Sequence, residues 1–137
     1  MTESNLTIEI TSFSFKKGLP KDTNGNGGGF IFDCRALPNP GRYKEYLELN
    51  GTQQEVIDFF KPYEECVEFE KHVRALINQS VTNYLERGFT HLMISFGCTG
   101  GQHRSVYFAE RTAHFLKQQY PVAIVLNHRE QNIHKEL

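Results

Sequence analysis

The feature that most constrains the fold is a run of strand, glycine-rich turn, helix and strand in the second half of the chain. Residues 89–96 (FTHLMISF) predict a strand and residues 97–101 a tight loop. Residues 103–119 predict a helix, and an apolar strand follows over residues 121–126. Because two parallel strands need a crossover connection, this order predicts a βαβ unit. We therefore expect an α/β fold, a small two-layer or three-layer sandwich with a mostly parallel sheet.

Two further strands are predicted upstream. Leu6, Ile8 and Ile10 alternate with polar residues, which is typical of a strand with one buried face. Residues 30–35 form a short apolar run and predict a buried strand. Residues 16–29 (the 16–29 loop) lie between these two strands and contain a proline and five glycines, so we expect a flexible loop.

Two helices are predicted between the early strands and the βαβ unit. Residues 52–60 predict a short helix capped by Thr52, with Glu55 at the capping-box position. Residues 63–87 predict a longer helix that ends at Gly88. The predicted buried face of the longer helix consists of Cys66, Phe69, Val73, Leu76, Ile77, Val81 and Tyr84.

Length and composition favour one domain over residues 1–137 and exclude several classes of protein. A net charge of -1 argues against a uniformly basic surface that coats nucleic acid. Residues 1–12 lack the features of a signal peptide, and no run is apolar and long enough for a membrane helix. The three cysteines are widely spaced, which favours a reducing compartment and hence a cytoplasmic location. No spacing suggests a metal site, no cofactor is expected, and residues 130–137 predict a frayed end.

Residues 97–105 (GCTGGQHRS, the 97–105 loop) have the composition of an anion-binding site. Three glycines allow the backbone to approach a ligand closely, and the loop ends where a helix begins. The first N–H groups of a helix lack internal partners and carry partial positive charge, so such a site accepts phosphate or sulfate. Arg104 can grip two oxygens, while Thr99, Ser105 and His103 supply further donors. The alternative is a plain glycine turn with Arg104 in a surface ion pair.

The same loop permits an enzymatic interpretation. Cys98, Arg104 and Ser105 match the C-x5-R-[ST] loop of cysteine-dependent phosphatases. A helix N-terminus and an arginine would lower the pKa of the Cys98 thiol, and Asp33 is a candidate general acid. We favour the alternative, in which Cys98 is a small loop residue and the protein binds its ligand without turnover.

Several motifs resemble the C-terminal domain of the RNase adapter protein RapZ. Residues 97–110 (GCTGGQHRSVYFAE) closely resemble the signature of that family, and residues 32–40 (FDCRALPNP) resemble its motif Asp-x-Arg-x-Leu-Pro-Asn-Pro. Residues 12–20 (SFSFKKGLP) resemble its opening motif, and residues 127–129 (NHR) lie where the family has a basic ending. The motif-bearing region runs from about residue 8 to residue 129.

The resemblance implies a domain that binds phosphorylated ligands, which in this family include an amino sugar phosphate and a small regulatory RNA. It also implies self-association. Mapped by motif, the anion site would use Thr99, Gly100, His103 and Arg104, with Asp33 and Asn39 opposite. The rest of the loop supplies further candidate ligand-binding residues: Cys98, Gly101, Gln102 and Ser105. Arg35, Arg42, His128 and Arg129 are candidates for secondary basic contacts.

The chain departs from the family pattern at three points. No GxxxxGK[ST] motif of the family's N-terminal nucleotide-binding domain occurs, so we expect a stand-alone domain and carry over no nucleotide hydrolysis. A separate nucleotide-binding protein is then a candidate partner. Gly41 stands where some members have a ligand-contacting histidine, which leaves the sugar specificity open. The tail after Arg129 is poorer in basic residues, which leaves RNA binding open.

Two smaller patterns have alternative explanations. Asp33 and Arg35 lie two residues apart, so they share one side of a strand and either line the pocket rim or pair with each other. Residues 22–27 (DTNGNG) fit the first half of a calcium loop with Asp33 at its twelfth position, but a strand follows where a calcium loop needs a helix. For that segment we favour a disordered glycine loop.

Overall fold

The computed structural model describes residues 4–137. The strands of this range are β1 (Thr7–Ser14), β2 (Phe30–Asp33), β3 (His91–Cys98), β4 (Ala123–His128) and β5 (Ile133–Glu136). They form one sheet in the order β2-β3-β1-β4-β5. The first four strands are parallel, and β5 runs antiparallel to β4. The predicted α/β fold with a mostly parallel sheet is confirmed.

The helices of the described range are α1 (Gln54–Phe60), α2 (Glu64–Arg87) and α3 (Arg104–Gln119). As predicted, α2 ends at Gly88, whose φ of 72° lies in the left-handed region that favours glycine. The predicted cap of α1 is wrong, because α1 begins after Gln53 and Thr52 donates its hydroxyl to Asn50 instead. None of the helices within residues 4–137 is long and apolar enough to cross a membrane.

The helices and one face of the sheet share a single core. Alternate positions of β1 and β3 contribute Ile8, Ile10, Leu92, Ile94 and Phe96. From α2 come Val73, Ile77 and Val81, and from α3 come Phe108, Ala109, Ala113 and Leu116. Each fully buried aliphatic or aromatic side chain stabilises the fold by about 1.5–3 kcal/mol. Leu76 was predicted on the buried face of α2, but it is 49% exposed.

Both edges of the sheet differ from the sequence prediction. β2 pairs only with β3 and is an edge strand, so Ile31 is 44% exposed rather than buried. The predicted frayed end at residues 130–137 is wrong, because β5 pairs with β4. Beyond β5, Leu137 and Ile124 exchange two backbone hydrogen bonds of 2.8 and 3.1 Å.

The carboxyl ends of the four parallel strands meet at one edge of the sheet. The register pairs Ser14 of β1 with Cys98 of β3, and Ser12 of β1 with His128 of β4. Asp33 at the end of β2 pairs with Gly97. Ligands of open α/β sheets bind at this edge, and the 97–105 loop lies there.

Candidate anion-binding site

The 97–105 loop connects β3 to α3, and two of its glycines are packed against other segments. A Cβ at Gly97 would lie 2.5 Å from atoms of the Phe13 and Phe15 rings. Gly101 has a φ of 66°, and a Cβ there would lie 2.9 Å from the backbone nitrogen of Ser14. Gly100 differs, because a Cβ at that position would meet no atom within 4 Å. The loop is therefore tightly packed at Gly97 and Gly101, and it is open at Gly100 between them.

A cavity of about 240 Å³ lies between the 97–105 loop and the segment that follows the Pro-Asn-Pro turn. It is lined by Asn39, Gly41, Leu47, Cys98, Thr99, Gly100, Gln102, His103 and Arg104. The structure thus brings Asn39 to the loop, as the motif resemblance implies. Gly101, Ser105 and Asp33 lie outside this lining.

Arg104 is the buried cation of the cavity, with 5% of its surface exposed. Its Nη1 donates to the carbonyl oxygens of Arg35 at 2.7 Å and Leu37 at 3.1 Å. Its Nη2 lies 3.5 Å from the Thr99 hydroxyl, and its Nε has no hydrogen-bond partner among residues 4–137. These hydrogen-bond partners are neutral, and the carboxylate that acts on Arg104 through its charge, Asp33, is already paired with Arg35. The predicted surface ion pair of Arg104 is absent from the described residues.

On the opposite wall of the cavity, Gln102 and His103 are hydrogen-bonded to the backbone of residues 46–49. The Gln102 amide Nε2 donates to the carbonyl oxygens of Leu47 and Leu49, both at 2.7 Å. His103 Nε2 lies 2.8 Å from the Tyr46 carbonyl oxygen, so this nitrogen is the donor. Burial lowers the pKa of His103, although the hydrogen bond to Tyr46 acts in the opposite direction. The neutral ring then presents Nδ1 as an acceptor.

Cys98 is 2% exposed and is hydrogen-bonded within the loop. Its thiol donates to the Ser105 hydroxyl at 3.1 Å, and the Gly101 N–H donates to its sulfur at 3.3 Å. Ser105 is fully buried behind the cavity, so its hydroxyl faces the cysteine rather than the open space. Ser105 was predicted as a direct donor to the anion, and the structure gives it this supporting contact instead.

The motifs that form this cavity match a known family over most of the chain. The RapZ C-terminal domain family matches residues 6–132. The chain belongs to this family. It is also 41% identical over 130 residues to a "Nucleotide-binding protein" of Pseudothermotoga lettingae. That match covers 95% of this chain and 44% of the relative, so the chain spans less than half of the relative's length.

Gly41 shapes the cavity just after the Pro-Asn-Pro turn. The Asn39 Oδ1 accepts the Gly41 N–H at 2.9 Å, which holds the turn after Pro-Asn-Pro. A Cβ at Gly41 would lie 3.1 Å from Asn39 Oδ1 and 3.4 Å from His103 Nδ1. The glycine therefore leaves space between two side chains of the wall.

Asp33 and Arg35 of the second family motif pair with each other. Arg35 donates to both carboxylate oxygens of Asp33, at 2.9 and 2.8 Å, and its guanidinium stacks 3.9 Å from the centre of the Phe15 ring. The hydrogen bond from Arg35 lowers the pKa of Asp33, which is therefore ionised at neutral pH. An ionised carboxylate has no proton to give to a leaving group, which argues against Asp33 as a general acid.

His128 was predicted as a secondary basic contact, and this prediction is wrong. The residue is fully buried, with Nδ1 2.7 Å from the Ser12 hydroxyl and Nε2 2.6 Å from the Glu110 carboxylate. Burial would raise the pKa of Glu110, but hydrogen bonds from His128 and Lys135 lower it to about 2. This network joins β1, β4, β5 and α3, and it uses both nitrogens of the buried His128 ring.

The other two secondary candidates lie near the site but outside the cavity. Arg42 is exposed in the short 3-10 helix Pro40–Arg42. Arg129 pairs with Glu130 at 2.9 Å and donates to the Gly18 carbonyl oxygen at 2.8 Å. Sequence reasoning missed Glu130 and the carbonyl oxygens of residues 46–49. A backbone carbonyl carries no side-chain signal, so only the position of this segment reveals its role.

Proposed function

We propose that the cavity binds the phosphate group of a phosphorylated small molecule or of RNA without turnover. The observation that carries the proposal is the buried Arg104 guanidinium, whose described partners are neutral and whose Nε lacks one. A buried cation is costly unless it is paired, and a phosphate in the cavity supplies the opposite charge that the neutral hydrogen-bond partners of Arg104 lack.

The open part of the loop between Gly97 and Gly101 supports the same proposal. Thr99 and Gly100 are exposed, and a Cβ at Gly100 would meet no atom within 4 Å. The N-terminus of α3 adds partial positive charge at this end of the loop. Asn39 and His103 on the other wall can contact the remainder of the ligand.

Three ligand classes fit these features: sugar phosphates, nucleotides and the phosphates of RNA. Family membership favours a regulatory binding domain, and the relative's name favours a nucleotide or a separate nucleotide-binding partner. A thermal-shift panel of sugar phosphates, nucleotides and short RNAs ranks the classes directly. If millimolar phosphate, sulfate and every ester leave the melting temperature unchanged, the proposal is wrong and the loop is an interaction surface for an acidic group of a partner.

Arg104→Ala tests the site assignment. We expect phosphate binding to weaken by about 1.5–3 kcal/mol, the range of a charge-assisted hydrogen bond. Arg104→Gln removes the charge but keeps an amide donor for the carbonyl oxygens of Arg35 and Leu37. It therefore tests the charge in a variant that is expected to keep its fold. Arg87→Ala, at the exposed end of α2, is the matched control. Titration calorimetry measures all four proteins, and an unchanged affinity in both Arg104 variants contradicts the assignment.

A cysteine-dependent phosphatase is the second candidate, because the Gly101 N–H points at the sulfur of Cys98 within a C-x5-R-S loop. Hydrolysis would require the thiolate to attack phosphorus while a general acid protonates the leaving oxygen. The experiment is multiple-turnover hydrolysis of an aryl phosphate by the protein and by Cys98→Ser. Turnover by the former and none by the latter would replace the binding proposal with the enzymatic one.

A further inference from the structure

The short 3-10 helix Arg129–Gln131 links β4 to β5 and lies directly behind the 97–105 loop. Its central residue, Glu130, points inward, and only 9% of its side chain is exposed. The Glu130 Oε2 accepts the backbone N–H of Ser14 at 2.7 Å. A carboxylate from the C-terminal segment is thus bonded to the end of β1, at the sheet edge where the cavity lies.

Glu130 and its neighbours contact the loop itself. A Cβ at Gly101 would lie 2.5 Å from the Glu130 Cγ, so these two residues are in close contact. The Gln131 amide donates to the Gly101 carbonyl oxygen at 3.3 Å. From the other side, the Ser14 hydroxyl donates to the Thr99 carbonyl oxygen at 2.6 Å. Glu130 therefore meets the loop directly at Gly101 and through Ser14 at Thr99.

The charge of Glu130 is compensated locally. Arg129 donates to Glu130 Oε2 from Nε at 3.0 Å and from Nη2 at 2.9 Å. Burial would raise the pKa of Glu130, but the Ser14 N–H and Arg129 outweigh it and lower the pKa. The carboxylate is ionised at neutral pH, and it links the end of β1 to the segment between β4 and β5.

We propose that Glu130 is a positioning residue for the 97–105 loop. It fixes the backbone of Gly101 and, through Ser14, that of Thr99, so the loop presents its amides and Arg104 in one arrangement. Glu130 lies outside the cavity lining, so it acts through the loop rather than on a ligand in the cavity. The consequence for affinity rests on the proposed anion site, whereas the consequence for loop order does not.

The test is Glu130→Gln, which keeps the size of the side chain and removes its charge. Glu86→Gln is the matched control, because Glu86 is exposed on α2, away from the loop. Hydrogen exchange of the amides of residues 99–102 is measured in the free proteins, and affinity for inorganic phosphate is measured by calorimetry. We expect loop exchange to accelerate about tenfold and phosphate affinity to fall about tenfold, with neither change in the control.

The outcomes separate the two proposals. Unchanged loop exchange both in Glu130→Gln and in Glu130→Ala, which also removes the acceptor of the Ser14 N–H, overturns the positioning role, whatever the affinity does. Faster exchange throughout the sheet together with a lower melting temperature also overturns it, since Glu130 would then be a general structural residue. Faster exchange confined to the loop, in a protein whose unsubstituted form binds no phosphate, supports the positioning role and contradicts the proposed anion site.

Discussion

The 97–105 loop and the 16–29 loop are both rich in glycine, yet they are built in opposite ways. The 97–105 loop receives contacts from Ser14, Glu130 and Gln131, and Arg104 at its end is buried. The 16–29 loop is largely exposed, and its residues 22–28 are closed on themselves by hydrogen bonds to Asp22. Glycine content therefore indicates sharp turns in both loops. Convergence of polar groups from distant segments distinguishes the candidate site.

Asp22 explains how residues 22–28 of the 16–29 loop form a closed turn. Its carboxylate accepts the backbone N–H groups of Asn24 at 2.9 Å, Asn26 at 2.7 Å and Gly28 at 3.3 Å. These bonds, led by the one from Asn24, lower the pKa of Asp22. Asp33, the twelfth position of the considered calcium loop, pairs with Arg35 instead. The Asp22 carboxylate is thus bonded to N–H groups of its own turn, which favours a glycine-rich loop over a calcium site.

The largest expected effect is the loss of stability when a methyl group is added at Gly101, compared with one added at Gly27. Gly101→Ala places a Cβ 2.5 Å from Glu130 Cγ at a φ of 66°, and we expect a loss of about 2–4 kcal/mol in the free energy of unfolding. Gly27→Ala has a similar φ of 82° but open space around the Cβ, so we expect a loss of about 1 kcal/mol. Urea denaturation measures both, and equal losses would remove the distinction between the loops.

The second prediction concerns pH, and it applies only to the 97–105 loop. Burial holds the pKa of His103 below its ordinary value, so the ring is neutral at pH 7 and gains charge as the pH falls through its lowered pKa. A charged ring attracts an anion, so affinity should rise by about tenfold between about pH 8 and about pH 5. Sulfate is the proper probe, because its own charge is constant over this range.

The matched variants for the pH effect are His103→Gln and His114→Gln. His114 is exposed on α3, so its loss should leave the rise intact. His103→Gln should bind sulfate with a flat pH profile. A flat profile in the unsubstituted protein would contradict the prediction that His103 gains charge beside the anion between about pH 8 and about pH 5.

The smallest expected effect is that of Asp22→Ala. The variant removes the acceptor of the 16–29 loop, so the amides of Asn24 and Asn26 should exchange faster with solvent. Phosphate affinity should not change, because this loop sends no side chain into the cavity. Weaker phosphate binding in this variant would mean that the two loops are coupled.

Most of the fold follows from hydrophobic periodicity, and the exceptions have physical causes. The βαβ unit and the long helix α2 were predicted because their apolar spacing is regular. β5 was missed because Ile133–Glu136 has one apolar residue and gains its order from pairing with β4. β2 was predicted as buried because its apolar residues are consecutive, and only the topology reveals that it lies at an edge.

The site was predictable where the chemistry lies in side chains close together in the sequence. The glycines and Arg104 identify the loop, and the Pro-Asn-Pro motif identifies Asn39. The sequence could not reveal that Gln102 and His103 hold backbone carbonyls, nor that Glu130 meets Gly101. His128 was misassigned because a basic residue at the end of a strand gives no indication of whether it is buried.

The central position of β1 has a consequence for how the chain is synthesised. β1 pairs with β3 and β4, which begin at His91 and Ala123. At a translation rate of about 5–20 residues per second, the ribosome needs roughly 4–15 seconds after β1 to reach β3. During that interval Ile8 and Ile10 have no strand partner. β1 thus precedes both of its partners and is paired on both sides only after β4 has been made, so we expect nascent chains that end before β4 to be clients of chaperones.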